Sequence, residues 1–102
     1  MKYQLNDTDY RALWMVASPA QIKEEFGDRS HSVRTIYRTY AKYGISGIKN
    51  HRNKIRSEIR KKSGSTLSEE YISHKLERRF EIEREAAFIE MWKKIRDFEE
   101  RF

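Results

Sequence analysis

The chain has 102 residues, and its 22 lysine and arginine residues outnumber its 16 aspartate and glutamate residues, which gives a formal charge of +6 at pH 7. Charged and hydrophobic residues each make up 37% of the chain, a balance that predicts a modest core with long solvated helices and argues against a compact enzyme. Cysteine is absent, which excludes disulfides, cysteine-ligated metal sites and thiol catalysis. The sequence has neither a membrane-spanning apolar segment nor a signal-peptide core, and therefore predicts a protein of the cytoplasm, associated with the nucleoid and not with a membrane.

Capping signals predict the first two helices. A residue between positions 6 and 9 caps the first helix, whose apolar positions are Tyr10, Leu13, Trp14 and Val16. Ser18 begins the second helix, because Pro19 suits its first position and Gln21 completes a capping box. Ile22 and Phe26 face inward in this helix, which ends at Gly27.

A third helix is predicted from about residue 30 to Tyr43, capped by Asp28 or Ser30 and ended by Gly44. Its predicted inward residues are Val33, Ile36, Tyr37 and Tyr40.

The order of short helix, glycine turn and second helix is typical of a helix-turn-helix. Val33 and Ile36 lie six and nine residues beyond Gly27, where they turn the third helix onto the second and leave its other face free for the major groove. The alternative is a polar face that is merely solvated. The predicted DNA-binding residues of this face are Arg29, Ser30, His31, Arg34, Thr35 and Arg38.

The same residues carry a family resemblance. Residues 22–27 (IKEEFG), 33–38 (VRTIYR) and 40–48 (YAKYGISGI) resemble the transposase-type helix-turn-helix, and more narrowly the small OrfA proteins of bacterial insertion elements. Residues 82–92 (IEREAAFIEMW) are similar in outline to the zipper-like C-terminal helix of that family. The resemblance implies a protein that binds the terminal repeats of its element, multimerises through its last helix and works with a separate catalytic transposase subunit.

Positive charge is concentrated in the middle of the chain. Residues 49–67 carry seven basic residues and one acidic residue, Glu58, and they separate a helix-turn-helix domain at 1–48 from a long helix at 68–102. Ile55 and Ile59 are four residues apart, which fits a short fourth helix, but an arm along DNA phosphates and a plain linker with a hinge at 63–65 are alternatives. The predicted phosphate contacts are Lys49, Arg52, Lys54, Arg56, Arg60, Lys61 and Lys62.

The last helix, capped by Thr66 or Ser68, carries more apolar surface than it can bury by itself. One broad stripe and a narrower strip at Ile82, Ala86 and Ile89 predict a homodimer or a higher homo-oligomer, and packing against the N-terminal unit is the alternative. A strict heptad would place Glu77, Arg84 and Lys94 in the seam, which argues against a regular two-stranded coiled coil. The predicted oligomerisation residues are Leu76, Phe80, Ile82, Ala86, Ile89, Met91, Trp92, Ile95 and Phe98.

No pattern of catalytic or ligand-binding residues is evident in the sequence. The three histidines, His31, His51 and His74, lack the spacing of metal ligands, and no nucleophile is paired with a base. The sequence therefore predicts an all-α, non-enzymatic protein that binds double-stranded DNA sequence-specifically and needs neither metal nor cofactor. A phage or plasmid regulator, a small packaging adaptor and a protein-interaction module are the alternative functions.

Overall fold

The structure of the protein is a computed structural model that describes residues 1–44, 47–63 and 68–101. All regular secondary structure in these ranges is helical, which confirms the predicted all-α fold. Five α-helices are present, with a 3-10 turn at Gly27–Arg29 between the second and the third: α1 (Asp7–Leu13), α2 (Pro19–Phe26), α3 (Val33–Tyr43), α4 (Gly47–Ser63) and α5 (Glu69–Arg101).

Side-chain caps fix where the first two helices begin, as predicted. Asn6 caps α1, where its side chain accepts from the Asp9 N–H and the Asp9 carboxylate accepts from the Asn6 N–H. Ser18 and Gln21 make the same reciprocal pair at the start of α2. Pro19 occupies the first helical position, where no backbone donor is needed.

The predicted cap of α3 is wrong, because Ser32 caps this helix instead of Asp28 or Ser30. The reason is that the chain continues past Gly27 as a 3-10 turn, in which Ser30 donates both its N–H and its hydroxyl to the Gly27 carbonyl. Gly27 itself has a φ of +54°, in the region that favours glycine. The Lys23 ammonium donates to the carbonyls of Gly27 and Ser30 and so stabilises the turn.

The main core joins the first three helices to the C-terminal half of α5. Leu13, Ile22 and Ile36 are almost fully buried there, and Met91 and Ile95 of α5 close the core. The predicted inward residues Tyr10, Phe26 and Tyr40 are also buried, whereas Trp14, Val16 and Val33 are half-buried. Tyr37 was predicted to face inward, but 59% of it is exposed.

Residues 1–5 complete this core before α1 begins. Tyr3 and Leu5 are buried, and the Leu5 N–H donates to the Arg29 carbonyl at 2.8 Å. Asp9, only 2% exposed, accepts the Tyr3 hydroxyl at 2.5 Å and the Lys94 ammonium at 2.6 Å. This carboxylate therefore ties the N-terminal segment, α1 and α5 together, and its hydrogen bond raises the pKa of Lys94.

Residues 49–63 of the basic segment lie in α4, so for this described part the predicted fourth helix agrees with the structure. Ile55 is fully buried and packs on Leu76 and Phe80 of α5, with Ile48 and Ile59 beside it. Ion pairs link the antiparallel helices at Arg60–Glu69, in the last turn of α4 and at the first residue of α5, and farther along at Arg79–Glu58 and Arg52–Glu77. Beyond them, His51 Nε2 lies 2.6 Å from the Glu83 carboxylate.

α5 spans both cores, with its N-terminal half on α4 and its C-terminal half on α1. The Ser68 hydroxyl accepts from the Tyr71 N–H, which is the predicted cap, while the alternative cap Thr66 and hinge residues 64 and 65 lie outside the described residues. Of the broad apolar stripe, Ile72, Leu76, Phe80, Met91 and Ile95 are buried within the chain, whereas the narrow strip is exposed.

Candidate nucleic-acid interface

The outer face of α3 carries the exposed part of the predicted DNA-binding surface. Arg34 and Arg38 are exposed, lie one turn apart and have no ion-pair partner among the described residues. Tyr37 stands between them with its ring largely in solvent. Thr35 is half-buried, and its hydroxyl is 3.0 Å from that of Ser32 at the helix cap.

Arg29 and Ser30 do not share this face. Ser30 is 5% exposed within the 3-10 turn. The Arg29 guanidinium donates twice to the Glu99 carboxylate, with both N–O distances 2.7 Å, and its carbon lies 5.4 Å from the centre of the Trp92 ring. Arg29 and the Tyr3 N–H lower the pKa of Glu99 from 4.5 to about 2. Arg29 therefore holds α5 against the 3-10 turn. Because Arg29 and Glu99 are 70 residues apart in the chain, the local sequence gives no signal of this contact.

His31 lies at the entrance to α3. Its N–H donates to the Tyr10 hydroxyl at 2.9 Å, and its ring lies 5.5 Å from the Tyr10 ring while the residue stays exposed. The structure thus places His31 beside the first turn of α3, on its solvent side.

The basic residues of α4 divide between two surfaces. Lys49, Arg52 and Arg56 recur at helical spacing and line a cleft toward α3. Lys54, Lys61 and Lys62 are exposed outside this cleft, and Arg60 pairs with Glu69. Arg52 pairs with Glu77. The basic residues of the cleft that have no ion-pair partner in the described chain are therefore Lys49 and Arg56.

The cleft between α3 and α4 encloses about 630 Å³. Tyr37 and Tyr40 of α3 line it together with Trp14 and Pro19, and no aspartate or glutamate is among its described lining residues. Arg56 is half-buried, and its Nε atom is buried without a hydrogen-bond partner. A concave surface with this lining attracts anions, because its positive charge is not compensated locally.

Trp14 holds the two sides of the cleft in place. Its indole N–H donates to the Gly44 carbonyl at 2.9 Å, and the Arg11 guanidinium lies 4.6 Å from its ring centre. A Cβ atom on Gly47 would lie 2.3 Å from the Trp14 ring, so the first residue of α4 sits directly on the indole. Gly44, with a φ of +123°, ends α3 as predicted and turns the chain toward this contact.

This role of Trp14 was missed in the sequence, where the residue was predicted only as part of the inward face of α1. Gly44 was predicted only as a helix end, and Gly47, three residues later, is needed for its close approach to an aromatic ring. The signal available was the pairing of these glycines with a tryptophan at the end of α1.

The residues predicted for oligomerisation fall into two groups. Ile82 and Ile89 are each 56% exposed, and Ala86 between them is also exposed. The others pack within the chain, so the prediction that they face a second copy is corrected: Leu76 and Phe80 lie against α4, and Met91, Trp92, Ile95 and Phe98 lie against the main core.

Comparisons of the chain with known protein families, with curated proteins and with solved structures find no match. Within the described ranges, no group of acidic or histidine side chains is arranged to hold a metal ion. None of the helices described is both long and apolar enough to cross a membrane.

Proposed function

We propose that the protein binds double-stranded DNA sequence-specifically, with α3 in the major groove and the cations of α4 on the phosphates. The observation that carries this proposal is the position of Arg34 and Arg38, which are exposed on one helix face without a carboxylate partner in the described part of the chain. Arginines in this state are available to guanine edges and phosphates, and Lys49 and Arg56 extend the positive surface across the cleft. A binding role without catalysis is part of the proposal.

The first test is selection of duplexes from a random library at about physiological salt. Enrichment of one motif is the expected result, and affinity that falls steeply as salt rises would report the phosphate contacts. Binding without any enriched motif, abolished by salt, would instead favour a module whose basic surface meets an acidic protein partner.

Arg34→Ala should weaken binding to the selected site by about 1–3 kcal/mol and should affect random DNA much less, because a base contact contributes only at the right sequence. Fluorescence anisotropy on both duplexes measures the difference. Arg78→Ala removes the same charge from an exposed position of α5 and is the matched control. Equal losses on the two duplexes would show that Arg34 does not read bases.

We propose that a second copy of the chain covers the strip formed by Ile82, Ala86 and Ile89. Leu76 and Phe80 before this strip are already buried on α4, and Met91 and Ile95 after it are buried in the main core, so the strip is the exposed apolar part of the middle of the helix. Three residues bury less than a stable dimer needs, so the long charged side chains beside them would contribute the rest of the interface. A two-fold pair would present two copies of α3 to a repeated or inverted site.

Replacing Ile82 and Ile89 together with glutamine should lower the mass measured by light scattering, because the pair supplies most of the apolar surface of the strip. Met15→Gln is the control, since Met15 is an exposed apolar residue outside α5. Unchanged mass in the double variant would remove the strip from the interface.

The resemblance to insertion-element proteins extends the proposal to a biological target: the terminal repeats of a mobile element, bound together with a separate catalytic transposase subunit. If the motif enriched from the random library occurs at the ends of a mobile element, that result supports this extension. Occurrence in promoters or at packaging sites would favour a phage or plasmid regulator or a packaging adaptor.

A further inference from the structure

The cleft between α3 and α4 has two walls of different chemistry. Its aromatic wall includes Trp14, Tyr37 and Tyr40, and its cationic wall includes Lys49 and Arg56. Its volume of about 630 Å³ is typical of sites for small ligands. We propose that this cleft binds a single nucleotide, whose base lies against Tyr37 and whose phosphate lies against Arg56 and Lys49.

The cationic wall is incomplete without an anion. Arg56 Nε is buried without a hydrogen-bond partner among the residues described, whereas Arg52 and Arg60 of the same helix pair with glutamates of α5. Arg56 lines the cleft and has no ion-pair partner among the described residues, and a phosphate is the kind of anion that a guanidinium binds strongly. Lys49 is exposed beside it and has no ion-pair partner among the described residues.

The aromatic wall is already formed. The Tyr40 hydroxyl donates to the Ala17 carbonyl at 3.0 Å, and the Trp14 indole N–H donates to the Gly44 carbonyl, so both rings are fixed by hydrogen bonds. Tyr37 differs from them because it is 59% exposed. An uncovered ring next to unpaired cations is the combination by which proteins hold single nucleotides, through stacking and a phosphate contact.

The same chemistry has two sources, a free nucleotide and an unpaired nucleotide of a DNA strand. Binding of a free nucleotide is independent of the proposed DNA binding, whereas binding of an unpaired nucleotide in a strand rests on it.

The first arm of the test is a titration of the full chain with adenosine 5′-monophosphate, followed by the two tryptophan indole N–H signals in NMR spectra. The signal of Trp14 should shift, and that of Trp92, which donates to Glu25 outside the cleft, should serve as the internal reference. Adenosine and inorganic phosphate, tested separately, should each bind at least about tenfold more weakly, because each uses only one wall.

Variants locate the two contacts. Arg56→Gln should weaken nucleotide binding about tenfold while Arg78→Gln, which removes the same charge from an exposed position of α5 outside the cleft, leaves it unchanged. Tyr37→Ala should weaken it by a similar factor, and Tyr37→Phe should restore it because the ring is kept. Circular dichroism of each variant separates lost binding from lost folding.

The second arm compares a blunt duplex with the same duplex carrying one unpaired nucleotide at its end. If the protein binds the extended duplex more tightly than the blunt one, the ligand is an unpaired nucleotide of a DNA strand. This gain in affinity should be lost in Arg56→Gln and kept in Arg34→Ala. The proposal is overturned if neither the monophosphate shifts Trp14 nor the unpaired nucleotide strengthens binding. It is also overturned if phosphate alone binds as tightly as the nucleotide. These results would leave the proposed binding of duplex DNA standing, since that depends on Arg34.

Discussion

Replacing Asp9 with alanine is expected to lower the free energy of unfolding by about 3 kcal/mol, as measured by urea denaturation. The Asp9 carboxylate is almost fully buried and accepts from the Tyr3 hydroxyl, the Lys94 ammonium and the Asn6 N–H. Its removal leaves the Tyr3 hydroxyl without its acceptor in the core and removes the carboxylate that neutralises Lys94. The capping box of α1 also loses one of its two bonds.

The loss of stability in Asp9→Ala depends on how much water reaches the groups that contact this carboxylate. The Lys94 side chain is 48% exposed and regains solvation, so the ion pair alone contributes less than a fully buried pair would. Most of the loss therefore comes from Tyr3 and the α1 cap. Asp7→Ala is the control, since Asp7 is an exposed aspartate of the same helix turn, and its loss should cost about 0.5 kcal/mol. Equal destabilisation by both variants would contradict a central role for Asp9.

Local signals in the sequence predict where the helices begin and end. The Ser18 and Gln21 box, the proline at position 19 and the glycines that end α2 and α3 act within four residues, so their effect does not depend on the rest of the fold. The one wrong cap, Asp28 or Ser30 instead of Ser32, arose where a 3-10 turn added residues between two helices. Local patterns do not show how far such a turn extends.

Contacts between distant segments account for what the sequence did not predict. Tyr37 has the helical spacing of a core residue, yet α4 stands off from it and leaves a cleft. Most of the apolar residues of α5 were predicted to meet a second copy, but α4 and the main core bury them within the chain. Periodicity identifies an apolar face without identifying the surface that covers it.

Gly47→Ala is the second substitution with a large expected effect, a loss of about 2 kcal/mol in the free energy of unfolding. The added Cβ would lie 2.3 Å from Trp14 Cε2, and the indole has little freedom to move away because its N–H is bonded to Gly44 and Arg11 lies over its ring. Alanine is favoured over glycine within helices by up to about 1 kcal/mol, but this gain is smaller at the first residue of α4. Overlap with the ring therefore outweighs helix propensity.

A double-mutant cycle separates the two effects. Trp14→Ala removes the ring, so Gly47→Ala in that background should be neutral or slightly stabilising, and the coupling between the two sites should be about 2 kcal/mol. Ser57→Ala is the control for propensity, since Ser57 is exposed on the same helix. Additive effects at positions 14 and 47 would show that the indole does not set the approach of α4 to α3. A nonzero coupling would also give the physical reason that a cleft exists there, because Trp14 keeps the two helices apart where Tyr37 and Arg56 face the same space.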